Sequence, residues 1–407
     1  MKIIYIHQYF LTPAEGGAIR SYHLARGLVD AGLEVEMITA HNHNYYDLRI
    51  VDGIKVHYLP VSYDNAYGPA RRALAFGRFV IQAKRLVRKL PRPDLFYISS
   101  TPLTTGLVGL WAKRKFAVPF IFEVRDLWPE APIQAGVIRN KIIQKILYRL
   151  EKKLYLHALK VVALSPGIRN YIKARCADKE VFLVSNFCDL QFFEPVRKEA
   201  SMARRWGLGD RFTLTYTGAL GRINALHQFL QLANEAKSQS KDWQFVLMGR
   251  GAYEERLKRL AREMNLDNVF FFPFGDKGQV RELLSVSDIS YISFDHFPVL
   301  QTNSPNKFFD ALAMGKAILT NHKGWVNDLV REHRLGFYQQ PGNPGETVHL
   351  LAQFADNPQT LYEAQQRARN LAVQYFSKET AIQKLLFVLD PNRSNGNANG
   401  EADIRIA

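Results

Sequence analysis

The sequence predicts an α/β protein that contains two doubly wound parallel sheets in tandem. Short apolar segments with strand character alternate with amphipathic helical segments along nearly the whole chain. Such alternation favours parallel strands that are joined by crossover helices. It stops in an irregular, polar stretch that begins near Asp189, and it then resumes as a second series. With 407 residues, of which 47% are hydrophobic, the chain can bury a core in each series, and two such sheets imply a cleft between them.

This organisation predicts four segments. The first domain is expected over residues 1–190 and the second over residues 191–375. The sequence KETAIQKLLFVL predicts a C-terminal helix within residues 376–389, which would return to the first domain. Residues 390–407 have few large apolar side chains, so we expect them to be disordered.

The first series begins as a β-α-β unit. The pattern predicts strands at Lys2–His7, Glu34–Ala40, Val56–Val61, Leu95–Ser99, Pro119–Val124, Val161–Leu164 and Val181–Val184. Gly16 and Gly17 lie between the first strand and its helix. Because open α/β sheets bind ligands at the carboxyl ends of their strands, this glycine pair could allow a substrate to approach the backbone closely. An ordinary turn is the alternative interpretation.

The segment EVRDLWPEA follows the fifth of these strands and is dense in charge. Asp126 and Arg125 are the leading candidates for a functional role, because they come directly after the strand. Glu123 still belongs to the strand, and Glu130 could cap the next helix. A structural cluster of ion pairs is the alternative.

The second series carries two glycine turns. Strands are predicted within Phe212–Arg222, Trp243–Gly251, Val269–Phe274, Ile289–Phe294 and Ala317–Asn321. The first of these segments ends in YTGALGR, which contains Gly218, Gly221 and Arg222. The second ends in LMGRG, which contains Gly249 and Arg250.

The stretch QTNSPNKFFDALAMGKAIL predicts a loop, a helix and a stop. Ser304 suits the N-cap, Pro305 the first helical position and Gly315 the position of positive φ after the helix. The N-terminus of such a helix, with Lys307 in its first turn, favours an anion and above all a phosphate. Asp310 could accept hydrogen bonds from ribose hydroxyls, so a sugar nucleotide would fit both groups. An ordinary capped helix between two strands is the alternative.

The net charge of +16 is concentrated in the first half of the chain. Residues 1–190 hold 28 Lys and Arg against 15 Asp and Glu, whereas the remainder holds 26 against 23. The segment Pro69–Pro93 has eight basic residues and no acid, and its apolar residues recur at helical spacing. A second basic helix is predicted over Asn140–Lys160. Attraction to an anionic membrane surface, a merely solvated face and nucleic-acid binding are the three interpretations, and no nucleic-acid-binding motif supports the third.

Cysteine content and hydropathy bear on location. No run of eighteen apolar residues exists, and the first residues do not resemble a signal peptide. The two cysteines, Cys176 and Cys188, form neither a disulfide framework nor a zinc set. We therefore expect a cytoplasmic protein, held peripherally on the inner face of the plasma membrane by its basic half.

These motifs together resemble family 4 of the retaining, nucleotide-sugar-dependent glycosyltransferases, which have the GT-B fold of two Rossmann-like domains facing across a cleft. The resemblance rests on the turns YTGALGR and LMGRG and on SPNKFFDALAMGKAIL, and it covers residues 1 to 389. SPNK and EVRDLWPE are similar to a subgroup that builds bacterial surface polysaccharides and includes fucosamine transferases. The resemblance implies an acceptor-side first domain and a second domain that binds the nucleotide-sugar.

The resemblance also assigns site residues. It implies donor binding by Gly16, Gly17, Gly218, Gly221, Gly249, Arg250, Thr302, Asn303, Ser304, Pro305, Asn306 and Asp310, and catalysis by Asp126, Arg125, Arg222 and Lys307. Four positions depart from the family pattern. The family's two glutamates, eight positions apart, are replaced by Thr302 and Asp310; a histidine that often precedes Asp126 is replaced by Arg125; and the lysine that usually follows Arg222 is absent, so Lys307 could replace its charge. His7, His23 and His227 are interpreted as structural.

The implied reaction is the transfer of a hexosyl or N-acetylhexosaminyl group, with retention, from a UDP-sugar to a saccharide or lipid-linked saccharide. No metal-binding DxD sequence occurs, so fixed cations and N–H dipoles would stabilise the departing diphosphate without a metal or other cofactor. Two alternatives remain open at this point. One is a sugar-nucleotide 2-epimerase, and the other is a catalytically inactive protein that binds nucleotide-sugars.

Overall fold

The computed structural model describes residues 1–13, 15, 19–64 and 67–393. The chain divides into two compact units. Of the described residues, unit 1 contains Met1–Ser185, Thr302–Ser304 and residues 379–393, whereas unit 2 contains Asn186–Gln301 and Pro305–Lys378. Of the tail predicted to be disordered, Pro391–Arg393 form a short 3-10 helix, and residues 394–407 lie outside the described residues.

The sheet of unit 1 has eight strands in the order β3-β4-β2-β1-β5-β6-β7-β8. The strands are β1 (Lys2–Ile6), β2 (Glu34–His41), β3 (Asp47–Val51), β4 (Ile54–Pro60), β5 (Leu95–Ser99), β6 (Phe120–Val124), β7 (Val161–Ala163) and β8 (Val181–Leu183). All neighbours are parallel except β3, which pairs antiparallel with β4. The central strands β5 and β6 are buried along their whole length, as expected for strands covered on both faces.

Strand β3 is an addition to the predicted set. Its middle residues are exposed, and the side chain of Ile50 is 79% exposed. This short edge strand has no buried face, although its sequence DLRIV alternates polar and apolar residues over its first four positions.

Helices flank this sheet. They are α1 (Arg20–Asp30), α2 (Pro69–Val87), α3 (Gly106–Phe116), α4 (Glu130–Gln134), α5 (Lys141–His157) and α6 (Pro166–Arg175). The prediction that one helix spans Pro69–Pro93 was too long, because α2 ends at Val87. Pro91 and Pro93 explain the early stop, since proline removes a backbone donor and restricts the residue before it. The second basic helix is confirmed, and the Asn140 side chain caps it by accepting from the amide of Ile142 at 2.9 Å.

The sheet of unit 2 has six parallel strands in the order β11-β10-β9-β12-β13-β14. The strands are β9 (Phe212–Thr217), β10 (Trp243–Met248), β11 (Val269–Phe272), β12 (Ile289–Ile292), β13 (Ala317–Thr320) and β14 (Gly336–Tyr338). The sequence did not predict the three-residue strand β14. Its helices are α7 (Ala200–Arg205), α8 (His227–Ser238), α9 (Glu254–Glu263), α10 (Lys277–Ser285), α11 (Asn306–Ala313), α12 (Trp325–Glu332), α13 (Pro344–Ala355) and α14 (Pro358–Tyr375).

The last helix, α15 (Lys378–Leu389), packs with unit 1 over most of its length. The Nζ atom of Lys160 donates to the carbonyl of Val388 at 2.8 Å. A Cβ on Gly27 of α1 would lie 2.5 Å from the side chain of Ile382, so α1 and α15 touch closely at this glycine.

Hydropathy along the helices bears on membrane insertion. Within the part of the chain that the structure describes, no helix is both long enough and apolar enough to cross a membrane.

Candidate functional site

The two glycine turns of unit 2 meet at the carboxyl ends of the neighbouring strands β9 and β10. Gly218 has φ +140° and Gly249 has φ +159°, and a Cβ on Gly249 would lie 1.8 Å from the carbonyl oxygen of Gly218. The amide of Gly218 donates to the carbonyl of Met248 at 2.9 Å, and that of Leu220 donates to the carbonyl of Arg250 at 2.9 Å. Only glycine allows two backbones to approach so closely, so the turns form one rigid surface.

Lys307 lies against this surface, in the first turn of α11. Its Nζ atom is 3.8 Å from the centroid of the Tyr216 ring and 5.6 Å from that of Phe294. A Cβ on Gly218 would be 3.2 Å from the same Nζ atom. Burial lowers the pKa of Lys307 to about 7, and among the described residues no acidic group offsets this effect. The site thus holds a cation between aromatic rings and a glycine turn, without a counter-ion, which is a suitable environment for an anionic ligand.

His322 completes this group and was not predicted. It is buried, and its Nδ1 atom is 2.9 Å from the hydroxyl of Thr320. Burial, followed by the positive charge of Lys307, lowers the pKa of His322 to about 4. Phe294 and His322 form an edge-to-face pair with ring centroids 5.0 Å apart. They follow β12 and β13, as Gly218 follows β9, so position after a strand was the sequence signal for these residues.

Asp310 lies one turn beyond Lys307 on α11. Its pKa is raised to about 6, mainly by burial; the charge of Lys277 opposes this shift, and the charge of Asp189 contributes to it. No hydrogen bond from a described residue contributes to this balance. A carboxylate in this state can accept hydrogen bonds from a ligand's hydroxyl groups. Its role at the ribose remains a prediction.

The start of α11 differs from the expected cap. The helix begins at Asn306, and Pro305 is the N-cap residue with φ −77° and ψ 126°. Ser304 was wrongly predicted as the cap; proline's fixed φ suits the first helical position, but here its ψ is extended. Gly315 is confirmed at positive φ, +56°.

Thr302, Asn303 and Ser304 group with unit 1. The hydroxyl of Ser165, at the N-terminus of α6, donates to the carbonyl of Thr302. A Cβ on Gly167 would lie 2.9 Å from the Thr302 side chain. These contacts show that Thr302 packs against the β7–α6 turn.

The two candidate arginines of unit 2 have accessible side chains. Arg222 starts a 3-10 turn directly after Gly221, and its side chain is exposed. Arg250 is exposed as well, with its guanidinium 4.6 Å from the centroid of the Phe274 ring. Both can reach a ligand from the glycine turns. The predicted pair Gly16 and Gly17 lies outside the described residues.

In unit 1, Glu123 is a structural residue. It is fully buried, and it accepts hydrogen bonds from Arg20 at 3.0 Å and from the hydroxyls of Ser99 at 2.6 Å and Tyr97 at 3.0 Å. Burial alone would raise its pKa, but the charges of Arg20 and then Arg125 hold the pKa of Glu123 below its usual value. A cluster of this kind ties strands β5 and β6 to helix α1.

Arg125 contacts a histidine that the sequence interpretation had set aside. Its Nη1 atom is 2.9 Å from Nε2 of His7, and Nδ1 of His7 is 2.7 Å from the Ser21 hydroxyl. Burial, then the charges of Arg125 and Arg20, hold the pKa of His7 well below its usual value. Because His7 is therefore neutral, it accepts from Arg125 at Nε2 and donates to Ser21 from Nδ1.

Asp126 follows Arg125 at the same edge of the sheet. Burial raises its pKa, and the charge of Arg125 opposes that effect. The residue remains partly accessible. Glu130 does not cap α4, as had been considered, because Pro129 occupies the N-cap. The Glu130 carboxylate instead accepts from the Tyr148 hydroxyl at 2.7 Å.

A cavity of about 670 Å³ opens in unit 1 beside these strand ends. Aromatic side chains dominate its wall, among them Tyr9, Tyr58, Tyr63 and Trp128. Gln8 also lines it and is 1% exposed, yet its amide makes no hydrogen bond to a described residue. An unsatisfied buried amide is costly, and a ligand with hydroxyl groups could satisfy it while stacking on the rings.

Within residues 1–13, 15, 19–64 and 67–393, no group of three or more His, Cys, Asp or Glu side chains could hold a metal ion.

Two doubly wound parallel sheets in one chain are the architecture of the GT-B glycosyltransferases. Residues 15–186 match the family described as a glycosyl transferase 4-like domain, and residues 200–371 match the family described as glycosyl transferases group 1. The chain belongs to the GT-B glycosyltransferase family.

Individual relatives are distant. The alpha-D-kanosaminyltransferase of Streptomyces kanamyceticus is 20% identical over 189 residues, which cover 46% of this chain and 48% of that protein. WcaL of Salmonella typhimurium, a putative colanic acid biosynthesis glycosyltransferase, is 22% identical over 167 residues, which cover 40% of this chain and 41% of that protein. The chain thus spans about half the length of these relatives or less.

The same fold is found in a solved structure. Alr3699/HepE of Anabaena, in complex with UDP-glucose, aligns with a TM-score of 0.71 and 16% identity, over 96% of this chain and 100% of that chain. At this identity the likeness shows the fold alone.

Proposed function

We propose that this glycosyltransferase moves a sugar, with retention, from a UDP-sugar to a saccharide acceptor in bacterial surface polysaccharide or glycoconjugate biosynthesis. The observation that carries the proposal is Lys307, which lies between Tyr216 and Phe294 and against the Gly218 turn and has no acidic partner among the residues that the structure describes. A diphosphate would supply the missing negative charge.

Two comparisons support the choice of substrates. HepE binds UDP-glucose, which supports a UDP-sugar donor. WcaL is named for colanic acid biosynthesis, which supports a polysaccharide product. A hexosyl or N-acetylhexosaminyl group is the expected cargo.

The proposed chemistry is electrostatic. The bond between the anomeric carbon and the diphosphate oxygen breaks, and the acceptor oxygen bonds to the same face of that carbon. The acceptor's proton passes to the departing phosphate. Negative charge grows on the diphosphate during this step, and Lys307 and Arg222 stabilise it, so no metal is required. EDTA should therefore leave turnover unchanged.

The acceptor site that we propose is the aromatic cavity of unit 1. Sugar rings would stack on Tyr9, Tyr63 and Trp128, and their hydroxyls would satisfy the Gln8 amide. Asp126, whose pKa is raised by burial, would hydrogen-bond the reacting acceptor hydroxyl, and Arg125 would orient it.

We further propose a lipid-linked acceptor and a peripheral location on the inner face of the plasma membrane. The support is charge. Residues 1–190 carry 28 basic and 15 acidic side chains, and basic surfaces are attracted to the anionic lipids of the cytoplasmic leaflet.

The decisive experiment has a binding stage and a turnover stage. In the first, UDP and UDP-sugars are tested by thermal shift with the wild type and with Lys307→Ala. Lys237→Ala, which removes a surface lysine of the same unit paired with Asp267 at 2.9 Å, is the control. UDP should stabilise the wild type and the control but not Lys307→Ala.

In the second stage, the stabilising UDP-sugar is incubated with lipid-linked saccharides, and the anomeric configuration of the product is read by NMR. Transfer with retention is expected. Release of an epimerised sugar would instead indicate a 2-epimerase, and UDP binding without any turnover would indicate a binding protein. Failure of all nucleotides to bind would remove the proposed donor site.

A further inference from the structure

Helix α5 of unit 1 exposes apolar side chains that the fold does not use. Its inner face is formed by the buried residues Leu154 and Tyr155. On the outside, Ile142, Ile143 and Ile146 are 72%, 48% and 56% exposed. With about 100° between successive residues, Ile142 and Ile146 fall outside the inner face, whereas Ile143 lies at its border and points in nearly the same direction as Leu154. A cluster of exposed apolar side chains is typical of a surface that contacts another protein, a ligand or a membrane.

Beside the isoleucines runs a basic strip of the same helix. Lys141, Lys145, Arg149 and Lys152 line a shallow groove of about 500 Å³. The only acid of α5 is Glu151, which is buried and so does not neutralise the strip. One exposed helix face therefore combines aliphatic and cationic side chains.

The cationic surface continues past the C-terminal half of α5. A groove of about 510 Å³ is formed by residues of α2, α3 and α5, which are Lys84, Leu107, Leu110, Trp111, Lys113, Arg114, Lys153 and His157. The Nζ atom of Lys113 donates to the carbonyl of His157 at 2.8 Å, which fixes α3 against α5. Burial, followed by the charges of Arg114 and Arg88, lowers the pKa of Lys84. This groove thus concentrates positive charge around the Trp111 ring.

We infer that the outer face of α5, together with this groove, docks onto an anionic lipid bilayer. Ile142, Ile143 and Ile146 insert below the headgroups, the basic strip contacts phosphates, and the groove accepts a lipid headgroup beside Trp111. We call this the α5 docking face. The inference rests on the proposed membrane location for its partner, and it identifies the surface that makes the contact.

Charge and side-chain type decide between possible occupants. A second copy of this chain would bring an equally basic face into contact with the first, and like charges would repel. Nucleic acid would match the charge but not three aliphatic side chains. An anionic membrane interface matches both features, because amphipathic helices with basic polar faces lie in such interfaces.

The α5 docking face predicts more than electrostatic attraction. Salt weakens contacts between exposed charges, but it does not weaken insertion of isoleucines. Binding to anionic vesicles should therefore fall with salt and yet persist in part. Binding to neutral vesicles should be weak, because these vesicles do not attract the basic strip and the insertion of three side chains is then the main contribution.

The test is co-sedimentation with vesicles that contain phosphatidylglycerol and phosphatidylcholine in equal amounts, and with vesicles of phosphatidylcholine alone. Replacing Ile142, Ile143 and Ile146 together by serine should reduce partitioning at least about tenfold. Lys145→Ala with Arg149→Ala should reduce it about 25-fold, at about fivefold per charge. Tyr362→Ser with Val373→Ser, which changes side chains 55% and 52% exposed on α14 of unit 2, is the matched control.

A fluorescent label tests insertion directly. Both native cysteines are buried, so an environment-sensitive dye should react selectively with Ile146→Cys or with the control Val373→Cys. With anionic vesicles, the emission of the dye on the Ile146→Cys variant should shift to shorter wavelength, and the emission of the dye on the Val373→Cys control should not.

Three results would overturn the inference. The serine variant could sediment with vesicles as the wild type does, the dye at position 146 could stay unshifted, or the serine variant could convert a wild-type dimer into a monomer without lipid. UDP binding is measured on the same proteins. Its retention in the serine variant shows that the fold is intact, and its absence in the wild type would count against the donor site without affecting the vesicle result.

Discussion

The pKa of Lys307 predicts an unusual pH dependence of UDP binding. Burial lowers it from 10.5 to about 7, which corresponds to about 5 kcal/mol against the charged form. A bound diphosphate would reverse this shift, because an opposite charge nearby favours the ammonium. UDP should therefore bind together with a proton whenever the free enzyme holds Lys307 neutral.

The size of the effect follows from this linkage. Above pH 7 the affinity should fall with rising pH, and between pH 7.5 and 8.5 the Kd should increase about eightfold. The terminal phosphate of UDP is already ionised in this range, since its second pKa is about 6. Isothermal titration at pH 8 in buffers of different ionisation enthalpy should show uptake of about 0.9 proton per UDP.

Neighbouring groups do not explain such a slope. His322 has a pKa of about 4, from burial and then from the charge of Lys307. Burial raises the pKa of Tyr216 far above this range. Lys316 is the competing candidate, because burial lowers its pKa to about 8. Lys316→Met should leave the slope intact, whereas Lys307→Arg should remove it, because arginine stays protonated.

Two outcomes would refute this reasoning. If wild-type binding is independent of pH from 7.5 to 8.5 with no proton uptake, Lys307 does not meet the phosphate. If Lys307→Ala binds UDP with wild-type affinity, the cation lies outside the site altogether.

Three further predictions concern single substitutions. Asp310→Asn should weaken UDP binding about tenfold and 2′-deoxy-UDP binding less, if the carboxylate accepts a hydrogen bond from the ribose 2′-hydroxyl. Equal losses of affinity for the two ligands, measured by calorimetry, would show that Asp310 does not contact this hydroxyl. Gly249→Ala should lower urea stability by about 2–4 kcal/mol, since its Cβ would meet the Gly218 carbonyl, whereas Gly342→Ala, at φ +79° with open space around it, should cost less; equal midpoints would contradict the clash. Burial raises the pKa of Glu151 from 4.5 to about 7, so its stabilising contribution is lost as pH rises through 7. Between pH 4 and 8.5, the free energy of unfolding of Glu151→Gln should therefore rise by about 3 kcal/mol relative to that of the wild type. If urea unfolding shows the same pH dependence of stability for both proteins, this prediction is wrong.

Local rules predicted the architecture because strand and helix signals agree along this chain. The alternation of apolar strands with amphipathic helices identified both sheets. The positive φ of Gly315 was correctly predicted, because helices commonly end at a glycine in the left-handed conformation. Strand β3 was missed although the sequence DLRIV alternates polar and apolar residues over its first four positions. The early end of α2 was missed because the basic periodic pattern continues towards Pro91 and Pro93 beyond the last helical residue, Val87.

The candidate site was harder to predict because its residues depend on tertiary packing. Lys307 was predicted from its place at a helix start, but its aromatic neighbours Tyr216 and Phe294 come from two different strands. His322 was missed because its local signal was limited to its position after strand β13. Similarly, the apolar residues of α5 are spaced for a helix, but only the structure shows that Ile142 points outward while Leu154 faces the core.

The two units hold their charged candidates in opposite ways, and this difference supports distinct roles. In unit 1, Arg20 forms an ion pair with Glu123 at 3.0 Å, and Arg125 donates to the neutral His7 at 2.9 Å, so both guanidinium groups already have polar partners within the protein. In unit 2, Lys307 lies against the rings of Tyr216 and Phe294 and the Gly218 turn, and no acidic group of the described residues offsets its charge. A cation that the protein leaves uncompensated is destabilising until an anion arrives. We therefore propose that unit 2 selects the diphosphate, where binding would relieve that cost, whereas the aromatic cavity of unit 1, whose charged residues Glu15 and Arg72 have opposite signs, suits an uncharged sugar.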